Sequence, residues 1–191
     1  MNAGACRAGP AGGFALLELM VVVAIVAVLA GIGMPSFRQL LLNQRLAGAA
    51  QAFNAALSLA RMEAIQRSRS VRVTALAGSD WSGGWVVTTG VSRSTALGAP
   101  TTLRRFDGLP DGVSVDASLG DGFAQGVRYD SNGFSRQANR AGFGAGCLTL
   151  KADTGRRASI VVSASGRARV CNPDQQGDCG TGVCGKAAKK E

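Results

Sequence analysis

Between residues 14 and 34 this chain carries a single charge. The run Phe14-Ala15-Leu16-Leu17-Glu18-Leu19-Met20-Val21 and its apolar continuation to Met34 have membrane-grade hydrophobicity, and Pro35 closes them. A helix rises about 1.5 Å per residue, so this stretch spans roughly 30 Å, one hydrocarbon thickness. A cleavable secretory signal would need a basic leader, a short apolar core and a small-residue cleavage site after it. Here the leader holds only Arg7, the apolar run is longer, and the chain continues into more helix. A permanent anchor is the better reading.

Glu18 is the anomaly in that anchor. A carboxylate inside an apolar helix costs about 3 kcal/mol on insertion scales, which marks a functional position by default. A glutamate near the interface that snorkels to the headgroups is the competing account, and position alone does not separate the two.

The residues Gly13-Phe14-Ala15-Leu16-Leu17-Glu18-Leu19 resemble the class III signal of type IV pilins and type II secretion pseudopilins. The resemblance implies that a prepilin peptidase cuts after Gly13 and that Phe14 becomes the N-methylated first residue. Glu18 then stands fifth in the mature chain, and Pro35 falls where many pilins carry proline. Ala15 departs from the usual Thr, and the leader is low in positive charge. The resemblance also implies that Glu18 pairs with the N-terminal ammonium of a neighbouring subunit entering the fibre. The physics agrees, since two charges in low dielectric each need a partner. Residues 1–13 are then a leader and 14–66 a helical stem, with 14–34 in the inner membrane and the remainder in the periplasm before export into a pilus at the cell surface.

Helical character is expected to continue past a kink at Pro35. Phe37, Leu41, Leu42, Leu46, Ala49, Phe53, Ala56, Leu57, Ala60 and Ala64 recur at spacings of three and four, with Arg38, Gln44, Arg45, Gln51, Arg61 and Gln66 on much of the other face. This predicts an amphipathic helix to about Ile65, its stripe covered by the following domain.

After Arg67 the pattern becomes short and β-rich. Expected strands are Ser70–Leu76, Gly84–Thr89, Thr102–Phe106, Val113–Asp116, Gly126–Tyr129, Cys147–Leu150, Ala158–Val162 and Ala168–Cys171. Turn signals at Ser82-Gly83-Gly84, Leu109-Pro110-Asp111-Gly112, Asp130-Ser131-Asn132-Gly133, Asp153-Thr154-Gly155 and Ser165-Gly166 separate them. Residues 90–101 and 117–125 read as longer loops. Short strands with short connections mean antiparallel sheet. The expected fold is therefore α+β and pilin-like: a long N-terminal helix, transmembrane in its first half, packed on an antiparallel β-sheet domain over 67–172, with a basic C-terminal tail over 173–191.

Histidine is absent and no Gly-rich phosphate loop is followed by Lys-Ser/Thr. That removes histidine-based nucleophilic catalysis and proton shuttling, and nothing suggests an enzyme, a cofactor or a metal site. Cys6 lies in the leader; Cys147, Cys171, Cys179 and Cys184 form an even set in an exported domain, which favours disulfides over zinc. In a simple meander, Cys147 and Cys171 sit at opposite ends of short strands, roughly 13 Å apart and beyond disulfide reach. Either the meander fails or the tail cysteines reach back to these two.

The formal charge is +9, and the segment from Arg128 onward holds eleven cations against five acids, or +6. Basicity of this kind favours polyanionic partners. Arg156-Arg157 sits in one hairpin turn, and Gly166-Arg167-Ala168-Arg169 opens the next strand, where both arginines would share a face. Alone, Gly-Arg-x-Arg is a weak motif, and a solvated strand edge whose charges block aggregation accounts for it as well. Beyond the stem, however, the chain from Phe14 to Cys171 resembles GspH/FimT-type minor pilins. In FimT-type members a C-terminal Gly-Arg-x-Arg segment binds DNA in natural transformation. The resemblance implies that Gly166, Arg167 and Arg169 contact the phosphate backbone of double-stranded DNA; Lys151, Arg156, Arg157 and Arg140 join them on charge alone. The implied function is a minor type IV pilin that assembles with other pilin subunits and binds DNA without base readout. The alternative is a GspH-like minor pseudopilin of a type II secretion system.

Overall fold

A computed structural model of the chain describes residues 16–89, 100–118, 123, 126–137, 144–180 and 184, the side chains of 32, 33 and 35 excepted. Its first element is one helix, α1 (Leu16–Gln66), assigned through Pro35 without a break. Its stop is built from local hydrogen bonds. Ser68 takes a left-handed φ of 49°; its N–H reaches Ile65 O at 3.2 Å and Arg69 N–H reaches Ala64 O at 3.1 Å. This is the Schellman pattern, with serine where glycine is usual.

Contacts divide the chain into two units, one ending at Gln39 and the other beginning at Leu40. In the first, the apolar side chains from Leu16 to Leu29 are exposed, and the helix is long and apolar enough there to cross a membrane. In the second, the helical stripe is buried from Leu46 through Phe53, Ala56, Leu57, Ala60 and Ala64. Phe37 and Leu41 were expected on that buried stripe but are exposed; Leu42 is half-buried and full burial begins at Leu46.

Nine strands follow among the described residues: β1 (Val71–Ala77), β2 (Asp80–Thr89), β3 (Thr101–Phe106), β4 (Val113–Val115), β5 (Val127–Tyr129), β6 (Ser135–Arg136), β7 (Gly146–Ala152), β8 (Arg157–Val162) and β9 (Ala168–Cys171). They form two antiparallel sheets where one was expected, in the orders β3-β2-β1-β5-β6 and β4-β7-β8-β9. Ser82-Gly83-Gly84 is not a turn. β2 runs through it, with Gly84 at φ 104° and its Cα so close to β3 that a Cβ would stand 2.6 Å from Phe106 O. The chain reverses earlier, where Ala77 faces Asp80 across Gly78-Ser79. Of the longer loops expected at 90–101 and 117–125, residues 90–99, 119–122 and 124–125 lie outside the described residues, and Thr101 opens β3.

The core is one cluster drawn from α1 and the inner faces of both sheets. Phe53 meets the edges of Trp81 and Trp85 at centroid distances of 5.0 and 5.2 Å and stacks with Phe123 at 6.2 Å. A chain poor in aromatics thus concentrates four of them at one point of the helix, where each ring buries a large apolar area. Leu148, Leu150, Ile160 and Val162 bring the second sheet into the same core.

Candidate functional site

Three hairpins share one construction. Gly133, Gly155 and Gly166 each have φ between 77° and 86°. Each closes a three-residue loop in which its N–H bonds back at 2.8–2.9 Å, to Asp130 O, Ala152 O and Ser163 O respectively. This is the turn followed by a left-handed bulge residue, which glycine fills without a Cβ penalty. The Asn132-Gly133 pair therefore sits in a three-residue loop.

The β8–β9 hairpin carries the Gly-Arg-x-Arg segment. At Gly166 the backbone packs against the neighbouring hairpin: a Cβ there would fall on Gly133 O and within 3.2 Å of the Tyr129 ring. Arg61 of α1 ties the two turns, donating from Nε to Gly133 O at 3.0 Å and from Nη2 to Ser165 O at 3.2 Å. Arg167 lies just ahead of β9 rather than on it. Its side chain is exposed, with no partner among the described residues. Arg169, on β9, is exposed and donates from Nη1 to Asp178 O at 2.6 Å.

Strand register places these groups. Arg169 pairs with Val161 and Cys171 with Ser159; Cys147 pairs with Val161, Thr149 with Ser159 and Lys151 with Arg157. Since paired residues share a face and alternate residues do too, the outer face of the second sheet reads, row by row, Lys151–Arg157, then Thr149–Ser159–Cys171, then Cys147–Val161–Arg169. The opposite face supplies Leu148, Leu150, Ile160 and Val162 to the core.

The cations on this face fall into two groups at opposite ends of β8. Lys151 and Arg157 stand at the β7–β8 end, with Arg156 in the adjoining turn on the side of the α1 cleft, and Arg167 and Arg169 stand toward the β8–β9 turn, roughly 20 Å along the strands from Arg157 to Arg167. Lys151 and Arg156 are exposed. Arg157 is engaged: Asp174 accepts from its Nε at 3.2 Å and from its Nη2, and Asp116 accepts from Nη1 at 3.4 Å. Asp174, helped by Asp116 and opposed by burial, holds the Arg157 guanidinium above its ordinary pKa. Ser118 hydrogen bonds, against burial and with help from Arg157, keep Asp116 below its own. Arg140, Gly13 and Phe14 lie outside the described residues, and Glu18 is exposed in the first turn of α1.

The four distal cysteines pair as Cys147–Cys184 and Cys171–Cys179, with Cα separations of 5.9 and 5.2 Å. The meander stands, and the tail cysteines reach back to it. Among the described residues no group of metal-ligating side chains could hold an ion. A cleft of about 480 Å³ opens beside β9, lined by Leu40, Gln44 and Gln51 of α1 and by Arg156, Val170 and Asn172.

One basic feature escaped the sequence. On the outer face of the first sheet Arg72 pairs with Arg128, and Arg128 with Arg136, so three guanidinium groups stand in adjacent register. Burial, and then the Arg128 charge, lowers the Arg72 pKa; Arg136 is tied to Asp130 at 2.7 Å. The alternation Val71-Arg72-Val73 signals the outward position, but the β1–β5 pairing that lines the arginines up joins strands far apart in sequence.

The chain matches the family described as "Type II transport protein GspH" over residues 49–166 and the "Prokaryotic N-terminal methylation motif" over residues 10–34. None of the curated proteins matches it. Among solved structures it is similar to the type IV minor pilin FimU of Pseudomonas aeruginosa (strain PAO1) in two crystal forms. One has TM-score 0.54 at 23% identity, covering 72% of this chain and 96% of that one; the other has 0.52 at 23%, covering 70% and 99%. It is also similar to the minor pseudopilin EpsH from the Type 2 Secretion System of Vibrio cholerae, with TM-score 0.44 at 17% identity over 69% and 99% of the two chains. The FimU likeness is one of fold: a long N-terminal helix on antiparallel sheet. With one match covering more than half of its residues and a methylation motif ahead of it, the chain belongs to the GspH family of type II transport proteins.

Proposed function

We propose that this chain is a minor type IV pilin that binds double-stranded DNA through the phosphate backbone and supports DNA uptake in natural transformation. The observation that carries the reading is the β8–β9 hairpin. It is fixed from behind by Gly166 on Gly133 and by Arg61, and it presents Arg167 and Arg169 exposed on a rigid edge. Arginine's planar fork suits phosphate oxygens. Lys151 and Arg156 extend the basic surface at the other end of β8. In this reading prepilin peptidase removes residues 1–13 after Gly13, and Phe14 is methylated. Residues 14–34 of the 14–66 stem hold the protein in the inner membrane, and Glu18 registers it among other pilin subunits; 67–172 form the globular domain and 173–191 the tail.

The test is DNA binding by residues 40–191, the unit that holds the whole described core, measured against salt. Arg167→Gln with Arg169→Gln is expected to weaken binding to all sequences alike and to flatten the salt slope by about one unit per lost contact. An unchanged gel-shift affinity would remove the assignment. A second reading, a GspH-like minor pseudopilin of a type II secretion system, is favoured by the family match itself and by the neutralisation of Arg157. It expects no salt-dependent DNA binding from the parent protein.

A further inference from the structure

The outer face of the second sheet is basic at its ends yet buried at its centre. Thr149, Ser159 and Cys147 are all buried there, and Thr149 and Ser159 satisfy each other's hydroxyls at 2.7 Å. What lies over them is the segment after β9. It is stapled at Cys171–Cys179 and again at Cys147–Cys184, and these four sulfurs form a small buried cluster with Val161 against it.

This segment has a sign. From Asn172 to Gly180 it contains two carboxylates, Asp174 and Asp178, and no cation. Both meet the sheet's arginines or shape the loop that does. Asp174 takes the Nε–H and an Nη2–H of Arg157. The Asp178 carbonyl takes an Nη1–H of Arg169, and the Asp178 carboxylate takes the Asn172 N–H at 2.6 Å, closing the loop on itself. The Arg157 side chain retains only 17% of its exposure. A phosphate approaching it must displace a two-point carboxylate contact, while Arg167 carries no such contact.

We propose that residues 172–180 are an acidic strap that withholds Arg157 from polyanions and so sets how many phosphates this face engages. The inference rests on the reading that the face binds the DNA phosphate backbone. Bound as built, DNA is held at the Arg167–Arg169 end; with the strap's hold on Arg157 removed, the contact lengthens along β8.

The test is the salt dependence of binding of a 20-base-pair duplex by the full chain in detergent micelles, for the parent, Asp174→Asn and Asp178→Asn. Asp174→Asn removes the strap's charge from Arg157, leaving only the single longer Asp116 contact at 3.4 Å, and is expected to steepen the slope of log affinity against log salt by about 0.9, one more phosphate, with a several-fold gain in affinity at low salt. Asp178→Asn removes the same charge from the same loop but touches no arginine with its side chain, so it is expected to leave the slope at the parent value. Cys171→Ser with Cys179→Ser, which unstaples the loop, is expected to follow Asp174→Asn. Two results would overturn the strap while leaving DNA binding intact: equal slopes in the parent and Asp174→Asn, or equal steepening by both asparagine variants, which is a general charge effect. Absence of binding by the parent and by every variant would overturn the underlying reading and the strap with it. Binding by Asp174→Asn alone would support the strap in its strongest form.

Discussion

Arg61, near the end of α1, donates its Nε–H to the carbonyl oxygen of Gly133 at 3.0 Å, on the turn between β5 and β6. Its Nη2 reaches Ser165 O in the turn between β8 and β9 at 3.2 Å, so one side chain joins the helix to both sheets. Charged hydrogen bonds of this kind are worth more than neutral ones, and losing the donor leaves carbonyls wanting. Arg61→Ala is expected to destabilise residues 40–191 by about 2 kcal/mol in urea unfolding, with Arg61→Lys intermediate because an ammonium replaces the planar fork.

Gly166 and Gly155 offer a paired comparison. Both have positive φ, 82° and 86°, but a Cβ on Gly155 meets open space while one on Gly166 meets the Gly133 carbonyl. Gly155→Ala is expected to lose about 1 kcal/mol from backbone conformation alone. Gly166→Ala is expected to lose that and about 1–3 kcal/mol more for the displaced turn. Thermal unfolding of the two variants checks the difference, and equal losses would mean that the turns do not rest on one another.

Ser68 ends α1 in a conformation that glycine adopts more readily. Its side chain is exposed, so no packing is lost, and relief of the left-handed backbone outweighs glycine's extra entropy in the unfolded chain. Ser68→Gly is expected to raise stability by about 0.5–1 kcal/mol, read as an upward shift in the urea midpoint at constant slope.

Two carboxylates make the domain acid-sensitive. Burial raises the Asp130 pKa, but hydrogen bonds from Arg136 and from the N–H groups of Phe134 and Asn132 outweigh it and hold the group below the ordinary 3.8. Asp116 is held below the same value. A carboxyl whose folded pKa is depressed contributes stability that is fully present above the unfolded pKa and lost as pH falls through the folded one. Unfolding free energy is therefore expected to be flat in these groups from pH 7 to about 5 and to fall below pH 4. Asp130→Asn is expected to make that fall shallower.

The two disulfides should contribute unequally. By loop closure, Cys147–Cys184, with a sequence separation of 37, is expected to stabilise by about 4 kcal/mol, and Cys171–Cys179, with a separation of 8, by about 2.5 kcal/mol. Serine pairs at each, compared by thermal unfolding, check the order.

The helix, its membrane-grade half and the strand Ala168–Cys171 were legible because each is a local pattern: an apolar run, a spacing of three and four, or an alternation ended by turn residues. β2 was cut short because Ser82-Gly83-Gly84 reads as a turn, whereas those small residues serve the close approach of β3. β6, two residues long, has no period to read. The split into two sheets depends on β1 pairing with β5, and nothing in either strand announces the other. Among the candidate site residues, Arg167 and Arg169 could be picked out by motif and charge. The engagement of Arg157 could not, because its acids lie 17 and 41 residues away. The packing of Gly166 on Gly133 could not be read either, because the two turns lie 33 residues apart.

The loop between Cys171 and Cys179 has a consequence for how such a protein can diverge. The core face of the second sheet is complete without it, since the core draws on β7, β8 and β9 but on none of the eight residues after Cys171. Two covalent ends hold that loop in place whatever lies between them. It behaves as an exchangeable cassette: rewriting its residues would change the charge presented on the outer face while the helix, the hairpins and the Arg61 tie stayed as they are.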